Sequence, residues 1–137
     1  MTALTADRPT VERKNEIVEL PAAAAKKFFA GAIAALDADG NATPGATTTT
    51  LRGLGRVEAF VDNSGGLAGA VRVRIKRGCF RWANSASGDL ITRADIGNNA
   101  YLVDDQTVAK TNGTNTRSVA GESADVDDQG VWIQSIY

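Results

Sequence analysis

The sequence predicts a small all-β fold, mainly antiparallel, that closes into a barrel or packs as a sandwich. The clearest sign is residues 70–83, where Val71, Val73 and Ile75 alternate with basic residues, as in a strand buried on one face. Further short strand candidates recur at intervals of about 8–12 residues, separated by clusters of Asp, Asn and Gly. At most one or two short helical turns are expected, one of them at residues 95–97.

Length and composition are those of an ordinary globular protein. The chain has 137 residues, of which 43% are hydrophobic and 23% charged, and this suits one domain with its own core. We expect residues 15–137 to form that β domain and residues 1–14 to be an extended N-terminal arm, flexible unless a partner holds it. No apolar run approaches the roughly 20 residues that span a bilayer, so we expect no membrane partner.

Residue types needed for common catalytic and metal sites are scarce. Histidine is absent, and Cys79 is the only cysteine. Nucleophile pairs that use histidine, an internal disulfide and a thiolate-rich zinc site therefore cannot form within the chain. No two of its 16 acidic residues stand out as an acid–base pair. We expect neither enzymatic activity nor a cofactor.

The first part of the chain is predicted as short strands and turns. Residues 16–20 form a strand that Pro21 stops. Residues 22–36 fit two structures: an alanine-rich helix that begins at Pro21, or a buried strand in which both sets of alternating residues are apolar. Periodicity does not decide between them. Residues 37–41 are predicted as a turn and residues 42–50 as a loop.

The remainder is predicted as strands between turns. Residues 55–61 form a strand that ends at a turn of Asp, Asn, Ser and Gly. Gly78 marks a bulge within the strand of residues 70–83. Asn112-Gly113 indicates a hairpin between its two flanking strands. The other predicted strands are residues 100–103, 107–110, 116–126 and 131–136, with a turn at residues 127–130.

Two acidic features match cation sites only in part. Residues 37–41 begin like a calcium loop, but Ala42 and Thr48 stand where that loop needs a glycine and a bidentate glutamate, so a plain turn is predicted. A second group is predicted as solvated turn residues rather than metal ligands; its members are Asp104, Asp105, Asp125, Asp127 and Asp128.

A basic stripe lies on the alternating strand. Arg72, Arg74 and Lys76 point to one side of it, with Arg81 further along the chain. No aromatic platform interleaves the stripe and the net charge is −1, so no nucleic-acid partner is expected. We expect ion pairs with Glu58 and Asp62 of the preceding strand, or a solvated face.

Several segments resemble those of the capsid decoration, or cement, proteins of tailed phages. The resemblance runs from about residue 16 onward, and its most specific parts are VDNSGG before the basic strand, RADIG followed by VDDQTV, and VDDQGVW. In that family the stretch corresponding to residues 28–36 is extended and rich in β-branched residues. The resemblance therefore favours a strand there, although this chain has alanines instead.

The resemblance implies a virion protein, made in the host cytoplasm, that binds the outside of the mature capsid. Its partners would be the major capsid protein and further copies of itself, as a homotrimer. An arm with Val11, Ile17 and Val18 is one candidate contact, because it could order against a neighbour by adding a strand. The candidate contact residues are Val11, Ile17, Val18, Arg72, Arg74 and Lys76. The alternatives are another virion component (tail, baseplate or fibre base) and a carbohydrate-binding module displayed on the virion.

Overall fold

A computed structural model describes residues 2–137 and confirms the all-β fold. Within those residues the only helical elements are two single 3-10 turns, Ser87–Asp89 and Arg93–Asp95. The second lies slightly before its predicted position because the Asp95 carboxylate closes it by accepting the Thr92 N–H at 2.8 Å. The strands are β1 (Ile17–Pro21), β2 (Lys26–Phe28), β3 (Ile33–Leu36), β4 (Ala42–Pro44), β5 (Arg52–Val57), β6 (Val61–Asn63), β7 (Arg72–Lys76), β8 (Cys79–Asn84), β9 (Asn99–Leu102), β10 (Thr107–Ala109), β11 (Val119–Asp127) and β12 (Gly130–Gln134).

The strands form three units. A five-stranded sheet has the order β1-β7-β5-β3-β4, and a closed five-stranded barrel has the order β10-β8-β12-β11-β9. The third unit is a two-stranded ribbon of β2 and β6. All strand pairs are antiparallel except β10 with β8, which is parallel. The prediction of a mainly antiparallel barrel or sandwich is confirmed, since the pairs are antiparallel with one exception and five of the strands close into a barrel.

Residues 22–36 form strands, so the helical alternative is wrong. The backbone is interrupted twice, at Ala25 with φ 58° and at Gly31 with φ 87°. A residue in the left-handed conformation cannot continue a right-handed α-helix, and the chain changes direction at both Ala25 and Gly31. The segment therefore divides between the ribbon, through β2, and the sheet, through β3.

The long strand predicted for residues 70–83 is in fact two strands in different units. Val73 and Ile75 are fully buried, and Arg72 and Arg74, which alternate with them, are exposed, so the alternation is confirmed within β7. Gly78 is not a bulge. It lies in the link where the chain leaves the sheet after Lys76 and enters the barrel at Cys79. Local alternation predicted each strand but not this change of unit.

Three further boundaries differ from the prediction. Residues 42–50 contain β4, which pairs with β3. Residues 55–61 divide between β5 of the sheet and β6 of the ribbon. Asn112-Gly113 lies in a turn but makes no hairpin, since β10 pairs with β9 and β8 while β11 pairs with β12 and β9. Barrel closure inserts β9 between the two strands that flank that turn.

Two apolar cores result. The first fills the space between one face of the sheet and the ribbon, where Phe28 is fully buried against Val73 and Ile75. The second fills the barrel, around Leu102 and Val131, and extends onto the opposite face of the sheet through Ile33. The two faces of the sheet are thus covered by different units.

The sheet and the barrel are joined at a seam of close backbone contacts. Gly53 of β5 approaches the Ala120 carbonyl of β11 so closely that a Cβ at Gly53 would overlap that backbone. Nearby, the Ile33 N–H donates to the Asp105 carbonyl at 2.7 Å. The Ser118 hydroxyl, in turn, accepts from the Leu51 N–H at 3.0 Å. The Arg56 guanidinium completes the seam by lying 4.6 Å from the centre of the Phe80 ring.

We predict that Gly53→Ala destabilises the fold by about 2 kcal/mol, because the added methyl group must push the two backbones apart. Chemical denaturation followed by circular dichroism measures the change. Gly65→Ala is the matched control, since a Cβ there meets no atom within 4 Å. Equal stability of the two variants would contradict the proposed packing of the seam.

Candidate adhesion surfaces

The basic stripe lies on the face of the sheet that is opposite the ribbon. Arg72 and Arg74 are exposed and Lys76 is half-buried. The barrel packs against this face over β3 and β5 and leaves the stripe on β7 in solvent. β1 lies beside β7 with Glu19 opposite Arg74, and their side chains form an ion pair of 3.5 Å. Exposed pairs of this kind contribute little to stability. Arg72 and Arg74 therefore remain exposed to solvent on this part of the sheet.

Neither of the predicted partners, Glu58 and Asp62, forms an ion pair with this stripe, so that part of the prediction is wrong. Glu58 lies beside Arg74, since its N–H donates to the Arg74 carbonyl at 3.0 Å, but its carboxylate pairs with Arg56 at 3.0 Å. Asp62 lies in the ribbon opposite Lys27, away from β7. The ion-pair partner of Arg74 is instead Glu19 of β1. The sequence analysis did not predict this pair because the two strands are far apart in the chain.

Ile17 and Val18 are not part of a free arm. They form the start of β1 and pair with Lys76 and Ile75 of β7, so the chain has already added this strand to its own sheet. Val18 packs against the core between the sheet and the ribbon, whereas Ile17 lies on the opposite face of the sheet, beside Lys76. The expectation that both residues order against a neighbour is wrong for this reason.

The outer edge of β1 is protected against strand addition. The Arg77 N–H donates to the Glu16 carbonyl and the Ala22 N–H to the Val71 carbonyl. Between these two bonds, every second residue of β1 directs its backbone N–H and C=O groups toward β7, and the others direct theirs outward. Pro21 is one of the outward residues and has no N–H to offer. Another is Glu19, whose carbonyl accepts from the Arg72 guanidinium at 2.9 Å. Proline and charge are common means of blocking a sheet edge.

Val11 lies where the sequence placed it, in the N-terminal segment outside the β body. Residues 2–16 contain no strand and no helix. The Val11 side chain is 91% exposed and that of Leu4 72%. Two apolar side chains are therefore exposed to solvent on a segment without strand or helix.

A pair of exposed aromatic residues was missed by the sequence analysis. Phe29 and Phe60, at the ends of β2 and β6, are 56% and 55% exposed, and their ring centres are 5.6 Å apart. A usable signal was present, because Phe28 and Phe29 are consecutive. Neighbouring residues of a strand face opposite ways, so burial of Phe28 in the core leaves Phe29 outside.

Arg81 is separated from the stripe and belongs to a polar group on the barrel. Its guanidinium lies 3.6 Å from the Asp127 carboxylate and 5.6 Å from the centre of the Trp132 ring. The Trp132 indole N–H donates to the same carboxylate at 3.0 Å. This hydrogen bond, followed by that from the Gln129 N–H and by the charge of Arg81, lowers the pKa of Asp127 below its ordinary value of 3.8.

Comparison of the chain with family models, curated proteins and solved structures gave no match. Within residues 2–137, no helix is long and apolar enough to cross a bilayer. The same residues contain no group of three acidic or cysteine side chains that could hold a metal ion. At residues 37–41 the Asp37 carboxylate instead accepts the N–H groups of Asp39 and Asn41, so the predicted turn is confirmed.

We predict that the Trp132 indole N–H resonance reports an acid titration with a midpoint below 3.8, the ordinary pKa of an aspartate. The folded state stabilises the ionised carboxylate, so this hydrogen bond is complete above that value and weakens as the pH falls through the lowered pKa of Asp127. Asp127→Asn should abolish the titration, whereas Asp128→Asn, one residue along the turn, should leave it intact. A midpoint at or above 3.8 would contradict the assignment.

Proposed function

We propose that this chain is a capsid decoration protein, made in the host cytoplasm, that binds the outside of a phage head and stabilises the mature shell. It acts by adhesion rather than by catalysis. The major capsid protein is its partner, and copies of the chain associate as a homotrimer. The resemblance in sequence described above is the starting point, and three features of the structure support it.

The first supporting feature is a rigid body. The sheet and the barrel share a seam of backbone contacts, through Gly53 with Ala120 and Ile33 with Asp105. A body that is already ordered loses little conformational entropy when it docks. Several copies held on one lattice also raise one another's effective concentration, so that weak individual contacts add up.

The second feature is the exposed face of the sheet that carries Arg72, Arg74 and Lys76. These side chains stand on β7 beside β1, and within residues 2–137 only Glu19 forms an ion pair with one of them. Charged groups at the rim of an interface increase the rate of encounter and fix the orientation of the partner. The face therefore suits an acidic area of a shell.

The observation that carries the proposal is the N-terminal segment. Residues 2–16 lie outside the body, and Val11 and Leu4 are the apolar side chains that they expose most. Burial of these side chains against a shell would remove apolar surface from water at about 25 cal/mol per Å². A ligand that binds only the expanded shell in this way stabilises that state by mass action.

We predict that removal of residues 1–14 lowers the number of copies bound per head about tenfold at limiting protein concentration, a loss of about 1.4 kcal/mol per site. The heads are empty, expanded shells of the major capsid protein encoded in the same genome. Gel densitometry and cryo-EM measure the occupancy. The melting temperature should not change, because residues 2–14 form no strand of the body.

Val11→Asp in the full chain tests the same contact without a deletion. It should reduce occupancy, whereas Thr5→Asp, which places the same charge elsewhere in the segment, should have a smaller effect. Unchanged occupancy in both the deletion and Val11→Asp would refute a role for the segment. A full chain that binds purified tails but not heads would refute the capsid role itself.

A further inference from the structure

Phe29 lines an open cleft, and Phe60 lies beside it, with its ring centre 5.6 Å from that of Phe29. The cleft has a volume of about 370 Å³ and is lined by Phe29, by residues 30–32 and by Asp105 and Gln106. That volume lies within the range of small-ligand sites. An exposed aromatic pair, a cleft, a carboxylate residue and an amide residue are therefore found together at one end of the ribbon.

The cleft is built on fixed backbone. The Asp105 carbonyl accepts from the Ile33 N–H at 2.7 Å and the Gln106 carbonyl from the Ala83 N–H at 2.8 Å. On the opposite wall, the Gly31 N–H donates to the Val57 carbonyl at 2.8 Å. The sheet and the barrel each supply one wall, so the seam between them holds the two walls at a constant separation.

The exposed aromatic surface is small. Two phenylalanines that are each slightly more than half exposed present roughly 200 Å² in total. Areas that mark protein interfaces are commonly larger, at a few hundred Å² or more. The aromatic pair is therefore of a size to pack against one or two small rings, and the polar residues beside it require a ligand that is also rich in hydrogen-bonding groups.

We propose that this cleft binds a saccharide. One face of a pyranose ring carries C–H groups that pack against an aromatic ring such as Phe29, and the hydroxyl groups around the ring exchange hydrogen bonds with carboxylates and amides such as those of Asp105 and Gln106. The inference goes beyond capsid decoration and does not depend on it. It assigns a glycan-binding site to the end of the ribbon, and the basic face of the sheet is not part of that site.

The test is an NMR titration of the isotope-labelled full chain with four separate probes: maltotetraose, cellotetraose, chitotetraose and mannotetraose. We expect at least one probe to shift the resonances of residues 29–32 and 105–106, with a Kd on the order of 1 mM. Phe29→Ala and Phe60→Ala should each raise that Kd about tenfold. Both side chains are more than half exposed, so the variants should retain the spectrum of the folded chain.

Matched controls separate this site from general stickiness. Leu67→Ala removes an apolar side chain that is 81% exposed, and it should leave the Kd unchanged. Asp105→Asn should weaken binding, whereas Asp128→Asn should not. The proposal is overturned if none of the probes causes shifts at about 10 mM, if the shifts map to another surface, or if Phe29→Ala binds as tightly as the parent chain. It is also overturned if no probe binds and Phe29→Ala reduces head occupancy, because the pair would then be a protein contact.

Discussion

The backbone contact between Gly53 of the sheet and Ala120 of the barrel is the constraint on which the rest of the structure depends. No side chain other than hydrogen fits at Gly53, so β5 and β11 meet without an intervening layer. The remaining contacts of the seam, from Ile33 to Asp105 and from Leu51 to Ser118, require the same separation. Close packing of this kind leaves little room for the two units to move relative to each other.

The position of the seam decides which part of the sheet's barrel-side face remains exposed. The barrel covers the sheet over β3 and β5, where Ile33 joins the barrel core and Arg56 meets Phe80. β7 and β1 extend beyond it, so Arg72 and Arg74 keep their side chains in water. The chain then crosses to the barrel at Gly78. Trp82 occupies an even-numbered position, like Arg72 and Arg74, but it is buried because β8 packs on the barrel core.

Local patterns predicted the strands well and their partners poorly. The alternation of β7 is a property of five consecutive residues, and the basic stripe was predicted from it. The order of the barrel strands depends on pairings between distant segments, such as β8 with β12, and no local pattern encodes them. The candidate site shows the same division. Val11 was placed correctly outside the body, and Ile17 and Val18 were assigned to the wrong partner. Phe29 was overlooked because the strand alternative for residues 22–36 treated both alternating sets of residues as buried.

The protection of the sheet edges bears directly on the proposed function. β1 is blocked by Pro21 and by the Arg72 guanidinium on Glu19, and β4 is covered where the Ala23 N–H donates to the Ala42 carbonyl at 2.8 Å. The barrel is closed and has no edge. Both outer edges of the sheet are thus partly blocked, whereas residues 2–15 form no backbone hydrogen bond with a strand. If the chain joins a shell through backbone pairing, it does so as the donor of a strand and not as the acceptor. This asymmetry suits an accessory subunit, because a donor of this kind can attach to a completed lattice, and its own protected edges do not recruit further copies into uncontrolled aggregates.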